Sequence, residues 1–163
     1  MSDIIIIRQI TADDDAAIAA IIRANLEAYR LNIPGTAYFD PELDHLSTYY
    51  DAAPDRRAYF ILTDAAGTVL GGAGLAEFSG LDACAELQKI YLTDSTKGKG
   101  LGYALARAVE TRARELGYRR LYLETHTALD AAIHLYERLG YQRIEQPVPT
   151  VHTTMDRFYL KEL

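Results

Sequence analysis

Between an apolar run, Ile90-Tyr91-Leu92, and a helix-patterned run from about Gly102 the chain reads KGKGLG, Lys97 to Gly102. This joint limits the fold more than any other segment. A strand must hand over to a helix through backbone that lacks a Cβ at alternate positions. Glycine permits φ > 0 and lets another molecule come against the main chain. The first N–H groups of a helix have no intrahelical partner, and the helix dipole adds partial positive charge. Gly98, Gly100 and Gly102 are therefore read as a phosphate cradle, with Lys97 and Lys99 adding charge. The spacing GxGxG is neither the P-loop, GxxxxGK followed by Ser or Thr, nor the Rossmann GxGxxG. On spacing alone, the cradle and a plain flexible loop with solvated lysines stand level.

Around this joint apolar runs alternate with helical patterns. Ile4–Ile10 is β-branched, hence a strand. Thr11-Ala-Asp-Asp14 has capping-box spacing, and Ile18, Ile21, Ile22, Leu26 and Tyr29 then recur at helical intervals. Asn32–Thr36 reads as a loop, and Asp40-Pro41 as the N-cap and first-turn proline of a short helix toward Tyr50. Ala58–Asp64 and Thr68–Phe78 pair as a hairpin across Ala65-Ala66-Gly67. Gly71, Gly72 and Gly74 inside its second arm predict a bulge or a close backbone approach. Ala85–Thr93 is the strand before the cradle. The helix after the cradle runs to Leu116 and stops at Gly117. Arg120–Thr125 is a strand and Ala128–Leu139 a helix ended by Gly140. Tyr141–Glu145 and Thr153–Leu160 are the last strands.

A hairpin followed by strands joined through helices predicts an α/β fold. Its mixed central sheet has six to seven strands and helices on both faces. With no repeat, linker or low-complexity segment, residues 1–163 read as a single domain.

The formal charge is −6, with no basic block, so the electrostatic footprint of nucleic-acid binding is missing. Acidity mildly favours cationic partners such as amines. The opening MSDIIIIRQITADDD has an apolar run too short for a signal peptide or a membrane span, so no membrane association is expected. A single cysteine, Cys84, rules out an internal disulfide and a multi-cysteine zinc site, and it agrees with a cytoplasmic setting. His126 and His134 have no third ligand at convincing spacing, so no metal is expected.

A strand ending Ile90-Tyr91-Leu92, four intervening residues and then KGKGLGYAL resembles the acyl-coenzyme A motif of the GNAT superfamily of N-acetyltransferases. The family pattern is Gln/Arg-x-x-Gly-x-Gly/Ala. Gly100 and Gly102 match it, and Lys97 stands where Arg or Gln is usual, keeping charge while losing the planar donor fork. LYERLGYQ, Leu135–Gln142, resembles a second family segment. Leu129 occupies a position where the family often has Asn. ELQKIYL, Glu86–Leu92, is similar to one bacterial branch. The resemblance covers nearly the whole chain and implies a GNAT fold, with the two central parallel strands splayed apart. It implies acetyl-CoA as co-substrate, its pyrophosphate on the amides of Lys97, Gly98, Lys99, Gly100, Leu101 and Gly102, with Tyr103 also among the coenzyme-binding residues. The pantetheine arm would then lie along Ile90, Tyr91 and Leu92, with an amide near Ile90 facing the thioester oxygen. The family is often dimeric, so a homodimer is the implied assembly.

Acetyl transfer to an amine calls for a base, an oxyanion donor and an acid for the leaving thiolate. By the resemblance Tyr136 is the acid. On helical spacing alone it shares a face with Leu129, Ile133 and Gly140 and reads as core. Glu86, on the strand leading into the motif, is the candidate base, directly or through a water. A solvent-facing residue, or a partner for Lys89 or Arg120, is the competing reading. His152 and Asp156 lie in VHTTMD near the C-terminus, and the resemblance places a His there at the border of the acceptor pocket. Glu77, Asp82 and Glu124 lie on or beside the central strands and add a field that favours a cationic amine if they face the cleft. Cys84 shows no paired base and reads as structural. Three functions remain open on the residues. One is an N-acetyltransferase for a small-molecule or peptide amine by direct transfer. The others are an idle domain that senses acyl-CoA, and a phosphate-binding module sharing only the glycine loop.

Overall fold

The computed structural model describes residues 4–163; residues 1–3, part of the expected domain, lie outside the described residues. Seven strands form one sheet: β1 (Ile5–Gln9), β2 (Ala58–Asp64), β3 (Val69–Glu77), β4 (Cys84–Leu92), β5 (Arg120–Thr125), β6 (Gln142–Ile144) and β7 (Arg157–Glu162). Four α-helices accompany them: α1 (Asp15–Ala28), α2 (Leu46–Asp51), α3 (Leu101–Glu115) and α4 (Asp130–Arg138). The strand order is β1-β2-β3-β4-β5-β7-β6. Every neighbouring pair is antiparallel except β4 and β5. The sheet is mixed, as the hairpin and the helical crossover between β4 and β5 predict.

Local chemistry explains the boundaries. Thr11 donates its N–H to the Asp14 carboxylate at 2.8 Å, and Arg8 grips the same group at 2.7 and 2.9 Å. The capping box thus opens a 3-10 turn, and α1 follows from Asp15. In the β2–β3 hairpin the Asp64 carboxylate accepts from the N–H groups of Ala66 and Thr68. Gly67 supplies the positive φ that the turn requires.

Helices cover both faces. Leu105, Val109 and Tyr136 from α3 and α4 pack on Leu87, Leu121 and Leu123. On the opposite face Ile18, Ile22 and Leu46 from α1 and α2 pack on Tyr59, Ile61 and Ala76.

Two expectations change. Asp40-Pro41 does not open a helix: α2 begins at Leu46, after a 3-10 turn over Leu43–His45. The Asp40 carboxylate instead lies 2.7 Å from the buried ammonium of Lys89. A charge-assisted bond in the interior outweighs an N-cap worth about 1 kcal/mol. The last strand begins at Arg157, not Thr153, and runs on to Glu162. Residues 153–156 turn instead. Thr154 N–H bonds the Gly35 carbonyl at 3.1 Å, and Asp156 accepts from the Thr127 N–H and hydroxyl.

The feature that positions the site is the parting of β4 and β5. They pair only at Cys84–Arg120, Ala85–Leu121 and Glu86–Tyr122. Both strands continue beyond, to Leu92 and Thr125, without meeting.

Candidate active site

The cleft begins with a bulge. Gly72 faces Tyr91 and Gly74 faces Gln88, so Ala73 alone opposes both Lys89 and Ile90. Lys89 has φ 51, in the left-handed region. Ala85 and Leu87 point into the α3/α4 core, and strict alternation would send Lys89 after them. The extra residue gives that face to Ile90 and turns Lys89 to the other side. The β3 glycines make room for what holds the bulge. A Cβ at Gly72 or Gly74 would come within 2.5 Å of a Tyr59 ring carbon. Tyr59 therefore lies flush on β3, and its hydroxyl donates to the Lys89 carbonyl at 2.7 Å. The bulge and the close approach expected from these glycines are both present.

On the α1/α2 side of the bulge stands a charged network. The Lys89 side chain is 4% exposed, and its ammonium lies 2.7 Å from Asp40 and 3.4 Å from Glu42. His152 Nε2 is 2.8 and 3.0 Å from the two Asp40 oxygens, and its Nδ1 is 3.9 Å from Glu124. Glu124 also accepts from Tyr122 at 2.8 Å and Thr150 at 2.7 Å. Burial alone would raise the Asp40 carboxyl; His152 and Lys89 outweigh it and hold it below the usual carboxylate range. Burial opposes the charged form of His152, and the hydrogen bond and charge of Asp40 win, so its pKa is raised.

Glu86 faces this network. Gln88 donates to it at 2.7 Å, and Tyr50 holds Gln88 at 2.8 Å. Burial pushes the Glu86 carboxyl up to about 7; the Gln88 hydrogen bond opposes that, and the charge of Glu124 adds to it. The group is therefore poised between its two forms at neutral pH, as a general base requires. The competing partners go elsewhere: Lys89 to Asp40, Arg120 to Glu162.

A cavity of about 940 Å³ runs from the glycine loop along the parted strands. Its wall includes Ile90, Tyr91, Leu92, Lys97, Gly98, Gly100, Leu101, Gly102, Tyr103 and Tyr136, with Lys89 and Glu124 at the network end. Lys99, exposed in the loop, and Glu86, mostly buried behind the network end, do not line it. Gly98 and Gly100 have φ 76 and 73. Gly102 departs from the positive φ expected of it: it lies in the first turn of α3, where a Cβ would meet Leu92 and Leu135 at 3.3 Å, so its missing side chain serves close packing while its N–H stays open. Lys97 pairs with Asp94 at 3.0 Å and is largely exposed. The N–H groups of Leu101, Gly102 and Tyr103, in the first turn of α3, have no intrahelical acceptor. Tyr136 is 4% exposed, lines the cavity, and its hydroxyl bonds no protein group among the described residues. Burial raises its pKa well beyond that of an ordinary phenol, so it keeps its proton.

The other expected residues lie apart. Glu77 pairs with Arg57 at 2.6 Å, and Asp82 is exposed in the β3–β4 turn. Cys84 is buried, and burial pushes its thiol up to about 11, which suits a structural role. Among the described residues no group of three or more His, Cys, Asp or Glu could hold a metal ion, and no helix is long and apolar enough to cross a membrane. Asp40, Lys89 and Asn25 are residues the sequence reading gave no role in the site. Asn25 donates to the Leu92 carbonyl at 3.0 Å from α1. The one sequence signal for Lys89 is its break in the alternation of β4.

Comparisons with known proteins agree with this geometry. The model of the acetyltransferase (GNAT) family matches residues 19–141. The uncharacterized N-acetyltransferase YjgM of Escherichia coli K12 is 38% identical over 162 residues, covering 97% of this chain and 95% of that protein. The L-methionine sulfoximine/L-methionine sulfone acetyltransferase of Pseudomonas paraeruginosa is 34% identical over 122 residues, 72% of this chain and 69% of the relative. Among solved structures, a GNAT-family acetyltransferase from Staphylococcus aureus Mu50 superposes with TM-score 0.86 at 16% identity, covering 98% of this chain and 99% of its own. A phosphinothricin acetyltransferase from Sinorhizobium meliloti, solved in complex with AcCoA, gives TM-score 0.76 at 23% identity, covering 100% and 89%.

Proposed function

This chain belongs to the acetyltransferase (GNAT) family, and on that premise we propose that it moves an acetyl group from acetyl-CoA to a primary amine by direct transfer in a ternary complex. The observation that carries the reading is the cavity itself. It joins helix-start amides, an unpaired strand edge and a buried tyrosine, and its wall residues Glu124 and Lys89 act by charge on Glu86, which stands off the wall poised near neutrality.

The residues fit acetyl-CoA. Gly98 and Gly100–Tyr103 offer main-chain N–H groups to a pyrophosphate, while the Lys97 and Lys99 N–H groups, expected in the cradle, are bonded to the Asp94 and Thr96 carbonyls. The β4 edge from Leu87 to Leu92 has lost β5 as its partner, leaving room for a pantetheine arm. When bound, the co-substrate supplies a thioester as acyl donor. The amine nitrogen forms the new N–C bond as the C–S bond breaks. Glu86, directly or through a water, takes the proton that the ammonium must lose. Tyr136, held protonated by burial, meets the leaving sulfur as a donor. A main-chain N–H at the Lys89 bulge serves the carbonyl oxygen. Neither Cys84 nor any other group recommends itself as a covalent nucleophile, so alignment of the two substrates supplies much of the acceleration.

The Pseudomonas relative, named for L-methionine derivatives, supports a small molecule over a peptide. No observation favours the idle sensor. A single domain over 1–163, a cytoplasmic setting and a homodimer belong to the same proposal and rest on the family resemblance.

The test is calorimetric titration with acetyl-CoA, with ATP as control, followed by thiol release across an amine panel. Saturable acetyl-CoA binding, no ATP response and amine-dependent release are expected. ATP binding equal to acetyl-CoA would overturn the cradle. Release independent of every amine would overturn the transfer.

A further inference from the structure

We propose that the acceptor is a cationic amine with no carboxylate beside its reacting nitrogen, such as a diamine or a decarboxylated amino acid, rather than a free amino acid. This rests on the acetyltransferase reading and names the substrate class of the same site. The acceptor end gathers four carboxylates, Asp40, Glu42, Glu86 and Glu124, against two cations, Lys89 and His152. Both cations are already engaged. Lys89 sits between Asp40 and Glu42, and His152 bridges Asp40 and Glu124. Neither has charge left to neutralise a substrate carboxylate. Arg57 is bound to Glu77 and stacked on Tyr49. Lys97 belongs to the glycine loop and pairs with Asp94 there. Arg138, on the cavity wall, is exposed in the last turn of α4.

Two observations point to a donor-rich ligand. Gln88 reaches one oxygen of Glu86, while the other accepts from no protein group among the described residues. The buried Tyr136 hydroxyl on the cavity wall is likewise unpartnered by protein. An ammonium supplies three donors to such a place, and the field of the cluster raises its local concentration. A carboxylate brought alongside would meet Glu124, whose side chain is only 4% exposed on the wall and whose neighbour His152, at 3.9 Å, is already shared with Asp40. The Pseudomonas relative is named for amino-acid derivatives, so the acceptor chemistry would differ between the two proteins.

Matched pairs test this: cadaverine against lysine, tyramine against tyrosine, and 3-(methylsulfonyl)propylamine against methionine sulfone. Each pair differs by one carboxylate. With acetyl-CoA saturating, kcat/KM for the amine should exceed that for the amino acid by roughly tenfold or more in every pair. The methyl ester of methionine sulfone should recover most of that difference. Glu124→Gln, which keeps an oxygen for Tyr122 and Thr150, should narrow the ratio while calorimetric acetyl-CoA affinity stays unchanged. Equal or better turnover of the amino acids overturns the inference and leaves the transferase reading standing. Acetyl-CoA binding without transfer to any member overturns both, and absence of acetyl-CoA binding sinks the transferase reading itself.

Discussion

The cavity's two ends are made of different material. At the glycine loop the wall is main chain: Gly98 and Gly100 in left-handed conformations, the open first turn of α3, and lysines that project into solvent. At the acceptor end the wall carries side chains, Lys89 and Glu124, tied behind it to Asp40 and His152 in a mostly buried network. The first end can recognise a shape common to many ligands. The second carries a fixed charge pattern and so distinguishes among them. Variants that separate amides from side chains should therefore separate coenzyme affinity from turnover.

The largest effect is expected at the loop. Gly100→Glu puts a carboxylate where the pyrophosphate is expected and a side chain at φ 73. A Cβ there meets nothing within 4 Å, so the fold should survive while acetyl-CoA affinity drops by about a hundredfold or more. Calorimetry with a circular-dichroism control checks this, and near-native affinity would remove the loop from the coenzyme site. Next is Tyr136→Phe. It removes only the hydroxyl, so kcat should fall by about a hundredfold with KM for acetyl-CoA little changed. Unchanged kcat would return Tyr136 to the core.

Glu86→Gln should lower kcat/KM about tenfold at neutral pH and erase a limb of the pH profile. The sign follows from the direction of the shift. A base must be deprotonated, so the wild-type rate climbs as pH rises through about 7. The same group should cost stability. A carboxyl whose folded pKa is raised stabilises the fold in its neutral form, and that contribution is lost as pH climbs from the ordinary Glu range through about 7. The Gln variant should therefore melt higher than wild type at pH 8 and close to it at pH 4. A smaller effect is expected from Tyr59→Phe, which frees the Lys89 carbonyl at a cost of about 1 kcal/mol and should raise acceptor KM more than coenzyme KM. The smallest is Lys97→Ala. Its ammonium is exposed and already paired, so coenzyme affinity should fall by only about threefold.

The same contrast explains what could be read from the chain alone. The loop, its strand and its helix are contiguous, and β5 falls at Arg120–Thr125 as expected from its apolar run. The β3 glycines announced the bulge because a missing Cβ is visible in sequence. The acceptor network is built across long separations. His152 and Asp40 are 112 residues apart, and Lys89 and Glu42 are 47 apart. Nothing local in Asp40-Pro41 says that its carboxylate is claimed from a distance, so its capping signal misleads. Gly102 misleads for a related reason: its neighbour Leu135 arrives from another helix.

The parting of β4 and β5 has a mechanical side. In the plane of the sheet, β1–β4 and β5–β7–β6 are held together by three residue pairs at one end. The binding cleft is thus also a seam. Along it, the β4 amides beyond Glu86 that face β5 have no cross-strand acceptor to slow their exchange with deuterium. A ligand lying in the seam sutures two half-sheets, so it should protect those amides and raise the melting temperature with the logarithm of its concentration. The protein should be stiffest when its co-substrate is plentiful and should loosen along this line as the supply runs down.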